Sequence, residues 1–118
     1  MSQVMPHLRI EYPQDRITSV QLETLLDVVH AEVVDTALFD ESHIRIRAIP
    51  LSHYRAGGKP DPFIHVQCRI HPGRSEAQKR QLSEAVLAAV RGQGLPVKVI
   101  TVEVVEMDKA SYAKYSVE

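Results

Sequence analysis

Met5-Pro6-His7 is the segment of this sequence whose residues could best carry out catalysis. If translation starts at Met5 and the methionine is removed, Pro6 becomes a secondary amine with a free lone pair. A free α-amino group titrates at a pKa of ~8. Burial beside a guanidinium lowers that pKa, because both effects disfavour the ammonium form. Such an amine would be a general base near neutral pH.

The residues before Pro6 decide whether it can act in this way. If Met1 to Val4 stay attached, the nitrogen of Pro6 belongs to an amide. Its lone pair is then delocalised, so it is not basic. Pro6 would instead open an edge strand, where the missing N–H donor does no harm. This structural role is the commoner one for a proline, and both interpretations stay open on the residues alone.

Three arginines are candidates for binding an anionic substrate. Arg45 and Arg47 share one face of a predicted strand, and Arg74 lies in the turn before a predicted helix. A guanidinium offers a planar fork that matches a carboxylate in two hydrogen bonds. Alternatively these are solvated or subunit-pairing charges, as surface arginines usually are. The sequence does not determine which of Arg45 and Arg47 would face a pocket.

The histidines and the cysteine give no metal signature. No two histidines fall at i and i+4 on a predicted helix, and Cys68 has no second cysteine, so we predict no metal site. His7 and His65 lie on polar faces of predicted strands. They are possible supporting residues of an active site, although hydrogen-bonded structural histidines are commoner. Cys68 lies on an apolar face, which predicts burial.

The elements that position these residues follow a repeated strand–helix–strand order. Alternating polar and apolar residues predict four strands, at 7–12, 43–49, 63–70 and 97–107. Thr18 to Gln21 and Ser75 to Gln78 have the form of capping boxes, each opening a helix with one apolar stripe. We predict that the first helix ends near Phe39, and that Gly92 and Gly94 are stop signals for the second, which Pro96 prevents from continuing. Residues 52–62 are polar and predict a loop.

Two such units predict an α+β fold, a tandem β-α-β repeat. Each unit contributes a parallel strand pair with a right-handed crossover, and joining them gives a four-stranded mixed sheet. Both helices must cover one face, because each has a single apolar stripe. The opposite face, around His65, Gln67 and Arg69, is too polar for a dry core and too apolar for free solvent. We therefore expect it to be buried between subunits.

The bulk properties limit the class of protein. A length of 118 residues favours one domain over residues 1–118, with residues 1–4 as an extension before Met5-Pro6. A net charge of -1 gives no indication of nucleic-acid binding. No apolar run is long enough to cross a membrane. The lone cysteine and the absence of a signal-peptide pattern favour a cytoplasmic protein.

Several short motifs resemble the 5-carboxymethyl-2-hydroxymuconate isomerase family. They are Met5-Pro6-His7 followed by a strand with Glu11, then Ile44-Arg45-Ile46-Arg47, then Phe63-Ile64-His65-Val66, continuing to Gly73-Arg74-Ser75. The segment from Gly73 to Lys79 also resembles 4-oxalocrotonate tautomerase. The resemblance covers most of the chain from Met5 to Met107, and the motifs agree in order and interval.

The resemblance implies a tautomerase fold, a homotrimer and an amino-terminal catalytic proline. It implies that Pro6 is the general base and that Arg74, with Arg45 or Arg47, engages carboxylates of a small-molecule substrate. No cofactor is needed for such a proton shift. The expected activity is keto–enol tautomerisation or isomerisation of an unsaturated carboxylate-bearing compound in aromatic catabolism.

Two features depart from the family pattern. Residues 1–4 precede the proline, and the loop at 52–62 differs in length and composition, which leaves the substrate open. The alternative hypothesis is therefore a non-catalytic oligomeric binding or structural protein of the same fold, with Pro6 blocked by residues 1–4.

Overall fold

A computed structural model describes residues 5–117 and confirms the repeated strand–helix–strand order. The strands are β1 (His7–Pro13), β2 (Arg45–Leu51), β3 (Phe63–Ile70) and β4 (Val99–Glu106), and the helices are α1 (Ser19–Asp35) and α2 (Glu76–Arg91). Short 3-10 helices lie at Glu41–His43 and Lys109–Ser111. Residues 1–4, predicted to be an extension, lie outside the described residues.

The four strands form one mixed sheet in the order β2-β1-β3-β4. β1 is parallel to β2, and β3 is parallel to β4, as expected for strand pairs joined by a crossover helix. The central pair, β1 and β3, is antiparallel, with Leu8 opposite Cys68. The starts of β1 and β2 therefore lie at the same end of the sheet as the ends of β3 and β4.

Both predicted capping boxes are present and explain where the helices begin. Before α1, the Thr18 hydroxyl accepts from the Gln21 backbone N–H at 3.1 Å, and the Gln21 side chain accepts from the Thr18 N–H at 2.9 Å. Ser75 and Gln78 repeat both contacts before α2, at 3.1 and 2.9 Å. Each box satisfies backbone donors that the first helical turn leaves without a partner.

The prediction that α1 ends near Phe39 was wrong, because the helix ends at Asp35. The Thr36 hydroxyl donates to the Val33 carbonyl at 2.6 Å, and Ala37 adopts the left-handed conformation with φ of 59°. This turn ends the helix. Leu38 and Phe39 continue the apolar spacing but pack against the core from outside the helix.

The second strand starts two residues later than predicted, at Arg45 instead of His43. Residues Glu41–His43 form a 3-10 turn that Asp40 caps, with its side chain accepting from the Ser42 N–H at 3.0 Å. A local hydrogen bond of this kind competes with strand pairing.

The core lies between the helices and one face of the sheet, as predicted. Residues that are fully buried there come from every layer: Leu8, Ile10, Leu25, Val29, Val33, Ile64, Val66, Leu82, Val86 and Val90. On β3, buried and half-exposed residues alternate along the whole strand. The half-exposed ones, including His65, Gln67 and Arg69, form the opposite sheet face, which we call the open face.

The two strand–helix–strand units begin in the same way, with a buried proline just before the first strand. Pro6 precedes β1, and its carbonyl accepts from the N–H of Arg45, the first residue of β2, at 3.0 Å. Pro62 precedes β3, and its carbonyl accepts from the N–H of Lys98, just before β4, at 2.9 Å. Both prolines are buried. Within residues 5–117, no helix is long and apolar enough to span a membrane.

Candidate active site

Pro6 lies at the end of the sheet where several candidate residues meet. His7, the next residue, is paired with Arg45 of β2 on one side and with Arg69 of β3 on the other. The Pro6 side chain is fully buried. The sheet topology thus places Pro6 beside three basic residues that come from different strands.

His7 connects β2 to the carboxyl-terminal tail of the chain. The Arg47 Nη1 lies 3.2 Å from His7 Nδ1, and the Tyr112 hydroxyl lies 2.9 Å from His7 Nε2. Partial burial lowers the pKa of His7 below 6.5, and the positive charges of Arg47, Arg45 and Arg69 lower it further. Both effects favour the neutral form of the His7 ring.

A cleft of ≈ 410 Å³ opens beside His7, which is in the size range of small-molecule sites. We call it the His7 cleft. Its lining comes from His7, Arg47 and Arg69 of the sheet and from Met107, Asp108, Ser111 and Tyr112 of the following tail. Asp108 is engaged locally, because its Oδ2 accepts from the Ser111 hydroxyl at 2.7 Å. Because the lining carries two guanidinium groups and only one carboxylate, the cleft is suitable for binding an anion.

The predicted arginines do not all lie together. Arg47 lines the His7 cleft. The Arg45 side chain instead donates to the Ser42 carbonyl at 2.8 Å. Arg74 donates to the Leu38 carbonyl, and its guanidinium carbon lies 5.0 Å from the centre of the Phe39 ring. The structure therefore brings Arg47 to His7, whereas Arg45 and Arg74 contact the segment between α1 and β2.

His65, the second candidate histidine, belongs to a hydrogen-bond network on the open face. Its Nδ1 lies 2.7 Å from the Thr101 hydroxyl, and its Nε2 lies 2.7 Å from a Glu103 carboxylate oxygen. The hydrogen bond from His65 lowers the pKa of Glu103. His65 does not line the His7 cleft.

Cys68 is buried, as predicted, and is not placed for nucleophilic chemistry. Burial raises the pKa of its thiol to about 12, with a smaller contribution from the charge of Glu103. Among residues 5–117, no group of three or more His, Cys, Asp and Glu side chains is arranged to hold a metal ion.

Sequence reasoning missed three residues at this end of the sheet, namely Tyr112, Arg69 and His71. The His71 ring is buried and meets Tyr112 edge-to-face, with ring centres 4.6 Å apart. The tail that carries Tyr112 has no regular period, so its sequence gives no sign of this position. The alternation of β3 puts Arg69 on the same face as His65, but does not show that it borders a cleft.

Solved structures with this fold include members of one enzyme family. A 5-carboxymethyl-2-hydroxymuconate isomerase from Deinococcus radiodurans R1 is 28% identical, with a TM-score of 0.82 over 96% of this chain and 90% of that one. A 5-carboxymethyl-2-hydroxymuconate delta-isomerase is 23% identical, with a TM-score of 0.70 over 95% and 89% of the two chains. The Q0 fused 4-OT wild type symmetric trimer is 20% identical, with a TM-score of 0.79 over 92% and 90%.

These matches confirm the tautomerase fold. No curated protein sequence matches the chain significantly. A family model, 5-carboxymethyl-2-hydroxymuconate isomerase, matches residues 6–115, which is nearly the whole chain and begins at Pro6. Together these findings support an isomerase or tautomerase. The chain belongs to the 5-carboxymethyl-2-hydroxymuconate isomerase family.

Proposed function

We propose that this protein is a cofactor-independent tautomerase that moves a proton within an unsaturated, carboxylate-bearing enol or ketone. The family match suggests a substrate like 5-carboxymethyl-2-hydroxymuconate, and hence a role in aromatic catabolism. One observation carries the proposal: Pro6 is buried at the end of the sheet where Arg47 and Arg69 border an anion-suited cleft beside His7.

In the proposed reaction, the nitrogen of Pro6 acts as the general base. It removes a proton from the enol hydroxyl or from an allylic carbon and returns it to another carbon of the same conjugated system. Negative charge develops on the dienolate, and a guanidinium fixed nearby stabilises it. The role requires a free amine, so the residues before Pro6 must be removed from the mature protein.

The carboxylate of the substrate is proposed to bind arginine. Support is strongest for Arg47, because it lines the His7 cleft and contacts His7. Arg45 and Arg74 are further candidates, each with one guanidinium nitrogen already bonded to a backbone carbonyl. His7 would support the site by holding Arg47. His65 would support the site only indirectly, as part of the hydrogen-bond network on the open face, since Thr101 and Glu103 bind both of its ring nitrogens.

We also propose a cytoplasmic homotrimer of one-domain chains. The support is the open face, which carries half-exposed polar and apolar residues and has no helix covering it among residues 5–117. Fused 4-OT proteins of the same fold are described as symmetric and asymmetric trimers.

The test compares two forms of the protein, one that begins at Pro6 and one that retains residues 1–5. Ketonisation of 2-hydroxymuconate and of phenylenolpyruvate is followed by ultraviolet absorbance. We expect catalysis by the form that begins at Pro6 and none by the longer form, because an amide nitrogen has no useful basicity. No rate above buffer for either substrate would reject the proposal, and full activity of the longer form would reject Pro6 as the base.

A second candidate is a non-catalytic oligomeric protein of this fold. The observation that favours it is that Met5 is buried in the structure. Met5 forms the amide bond to Pro6, and this bond would have to be cleaved before Pro6 could act as a base. Mass spectrometry of the protein expressed from its native gene separates the two functions. A mature chain that begins at Pro6 supports the enzyme, and one that retains Ser2-Gln3-Val4 supports the binding protein.

A further inference from the structure

The hydrogen bonds around His7 determine where its proton lies. An arginine side chain has only donors, so His7 Nδ1 must accept from Arg47 Nη1 across their 3.2 Å contact. Neutral imidazole carries one proton, which must then be on Nε2. His7 Nε2–H donates to the Tyr112 hydroxyl oxygen, 2.9 Å away.

This arrangement leaves the hydroxyl proton of Tyr112 for another acceptor. A phenol accepts through its oxygen and donates through one O–H, and His7 already supplies the donor to that oxygen. The Tyr112 side chain lines the His7 cleft, and its ring is held by the edge-to-face contact with buried His71. The hydroxyl is thus a positioned neutral donor beside two guanidinium groups.

Arg69 provides the second positive charge of the cleft. Its Nη1 donates to the Gln67 side chain at 3.3 Å, which orients the guanidinium on the open face. Since an arginine has five N–H donors, the others can serve a ligand at the cleft. The carboxylate of Asp108 is engaged by Ser111, and the lining retains an excess of positive charge.

We infer that Tyr112 and Arg69 complete, with Arg47, a carboxylate-binding subsite in the His7 cleft, and that Tyr112 donates its hydroxyl proton to the bound carboxylate. The ligand class is a small carboxylate with a planar unsaturated body. The inference deepens the proposed function and rests on it for the role of the subsite in catalysis. It assigns carboxylate binding to one residue at the end of β3 and one in the tail. The sequence indicated neither residue as part of a binding site.

The test measures binding without turnover, by calorimetric titration with cinnamate, a carboxylate that has no enol to ketonise. Tyr112→Phe keeps the ring on His71 and removes only the hydroxyl. We expect it to raise the Kd by about 10-fold or more, the size expected for a hydrogen bond to a charged group. Arg69→Gln should weaken binding by at least as much. Tyr115→Phe, the same change at a side chain that is 89% exposed, should leave the Kd unchanged.

Two substitutions of His7 test the hydrogen-bond chain itself. His7→Gln can place an amide N–H near the position of Nε2 and keep the donor to Tyr112, whereas His7→Asn reaches only the position of Nδ1. We expect His7→Gln to bind cinnamate more tightly than His7→Asn. A role of Tyr112 in packing alone predicts equal binding by the wild-type protein and Tyr112→Phe. That result would overturn the inference, as would wild-type protein that does not bind cinnamate.

Binding and catalysis can fail separately in this design. If cinnamate binding depends on Tyr112 and Arg69 but the form beginning at Pro6 has no ketonisation activity, the subsite stands and the proposed function fails. If ketonisation occurs but neither substitution changes cinnamate binding, the proposed function stands and the inference fails. Urea unfolding of each variant shows whether the fold is intact before its Kd is interpreted.

Discussion

The guanidinium of Arg74 donates a hydrogen bond to the backbone carbonyl of Leu38. This contact joins the turn before α2 to the segment that follows α1. The stacking of Arg74 on Phe39 strengthens the same junction. Arg74 thus has a structural role in addition to any role in substrate binding.

Replacing Arg74 by alanine should lower the free energy of unfolding by about 1–3 kcal/mol, because the partly buried carbonyl of Leu38 loses its charged donor. Urea unfolding measures this loss. If Arg74 also binds the substrate carboxylate, kcat/KM should fall by a further ~2–4 kcal/mol at a temperature where both proteins are folded. Arg74→Lys is the matched control, since it keeps the charge and removes the planar fork. Unfolding midpoints that are identical for Arg74→Ala and wild type would contradict the structural role.

The lowered pKa of His7 makes its contribution to stability depend on pH. The unfolded chain takes up a proton on this residue near pH 6.5, whereas the folded chain does so only at lower pH. In that window the unfolded state binds more protons, so the free energy of unfolding should decrease as pH falls below 6.5 and level off below the folded pKa. NMR titration of the His7 ring gives the folded value directly. A His7 pKa at or above 6.5 would contradict the electrostatic picture of the cleft.

The Cys68 thiol should not react in the folded protein. Burial holds its pKa at about 12, so almost no thiolate is present at pH 8, and reagents cannot reach it. Alkylation by iodoacetamide, followed by mass spectrometry, should be slow in buffer and fast in concentrated urea. Equal rates in the two solvents would show that the β3 core opens easily. Cys68→Ser is the control for reaction at other residues.

A large side chain at the centre of the open face should prevent the proposed assembly. Gln67 lies on the central strand β3, so Gln67→Trp should clash with a second subunit while leaving the core beneath untouched. Sedimentation velocity at micromolar concentration should show a trimer for wild type and a smaller species for the variant. Val20→Trp is the control, because Val20 is 77% exposed at the start of α1. A Gln67→Trp trimer would place the interface elsewhere.

The elements that sequence predicted correctly are those set by local contacts. The capping boxes at Thr18 and Ser75 bond residues three positions apart, and the alternation of β3 requires only that one sheet face be buried. The end of α1 depended instead on Ala37, whose left-handed conformation no local pattern indicates. Leu38 and Phe39 kept the apolar spacing, and the pattern therefore continued past the true end of the helix.

The candidate site shows the same division between local and distant information. Pro6 and Arg47 belong to short motifs, so their shared end of the sheet follows from the predicted topology. The contact of Tyr112 with His7 joins residues 105 positions apart, through a tail whose sequence has no regular period. Periodicity carries no information about such a pair. Arg69 was placed on the correct strand face, but only the position of the tail makes that part of the face a cleft.

If Pro6 is the base, as proposed, the matching positions of Pro6 and Pro62 limit how many active sites one assembly can have. Each proline opens its unit and accepts the same backbone hydrogen bond from the following strand segment. Two separate polypeptides of this kind would offer two amines. When the units are fused into one chain, Pro62 is permanently an amide, and only the first unit can supply the base. A trimer would then contain three reactive ends and three that are chemically silent.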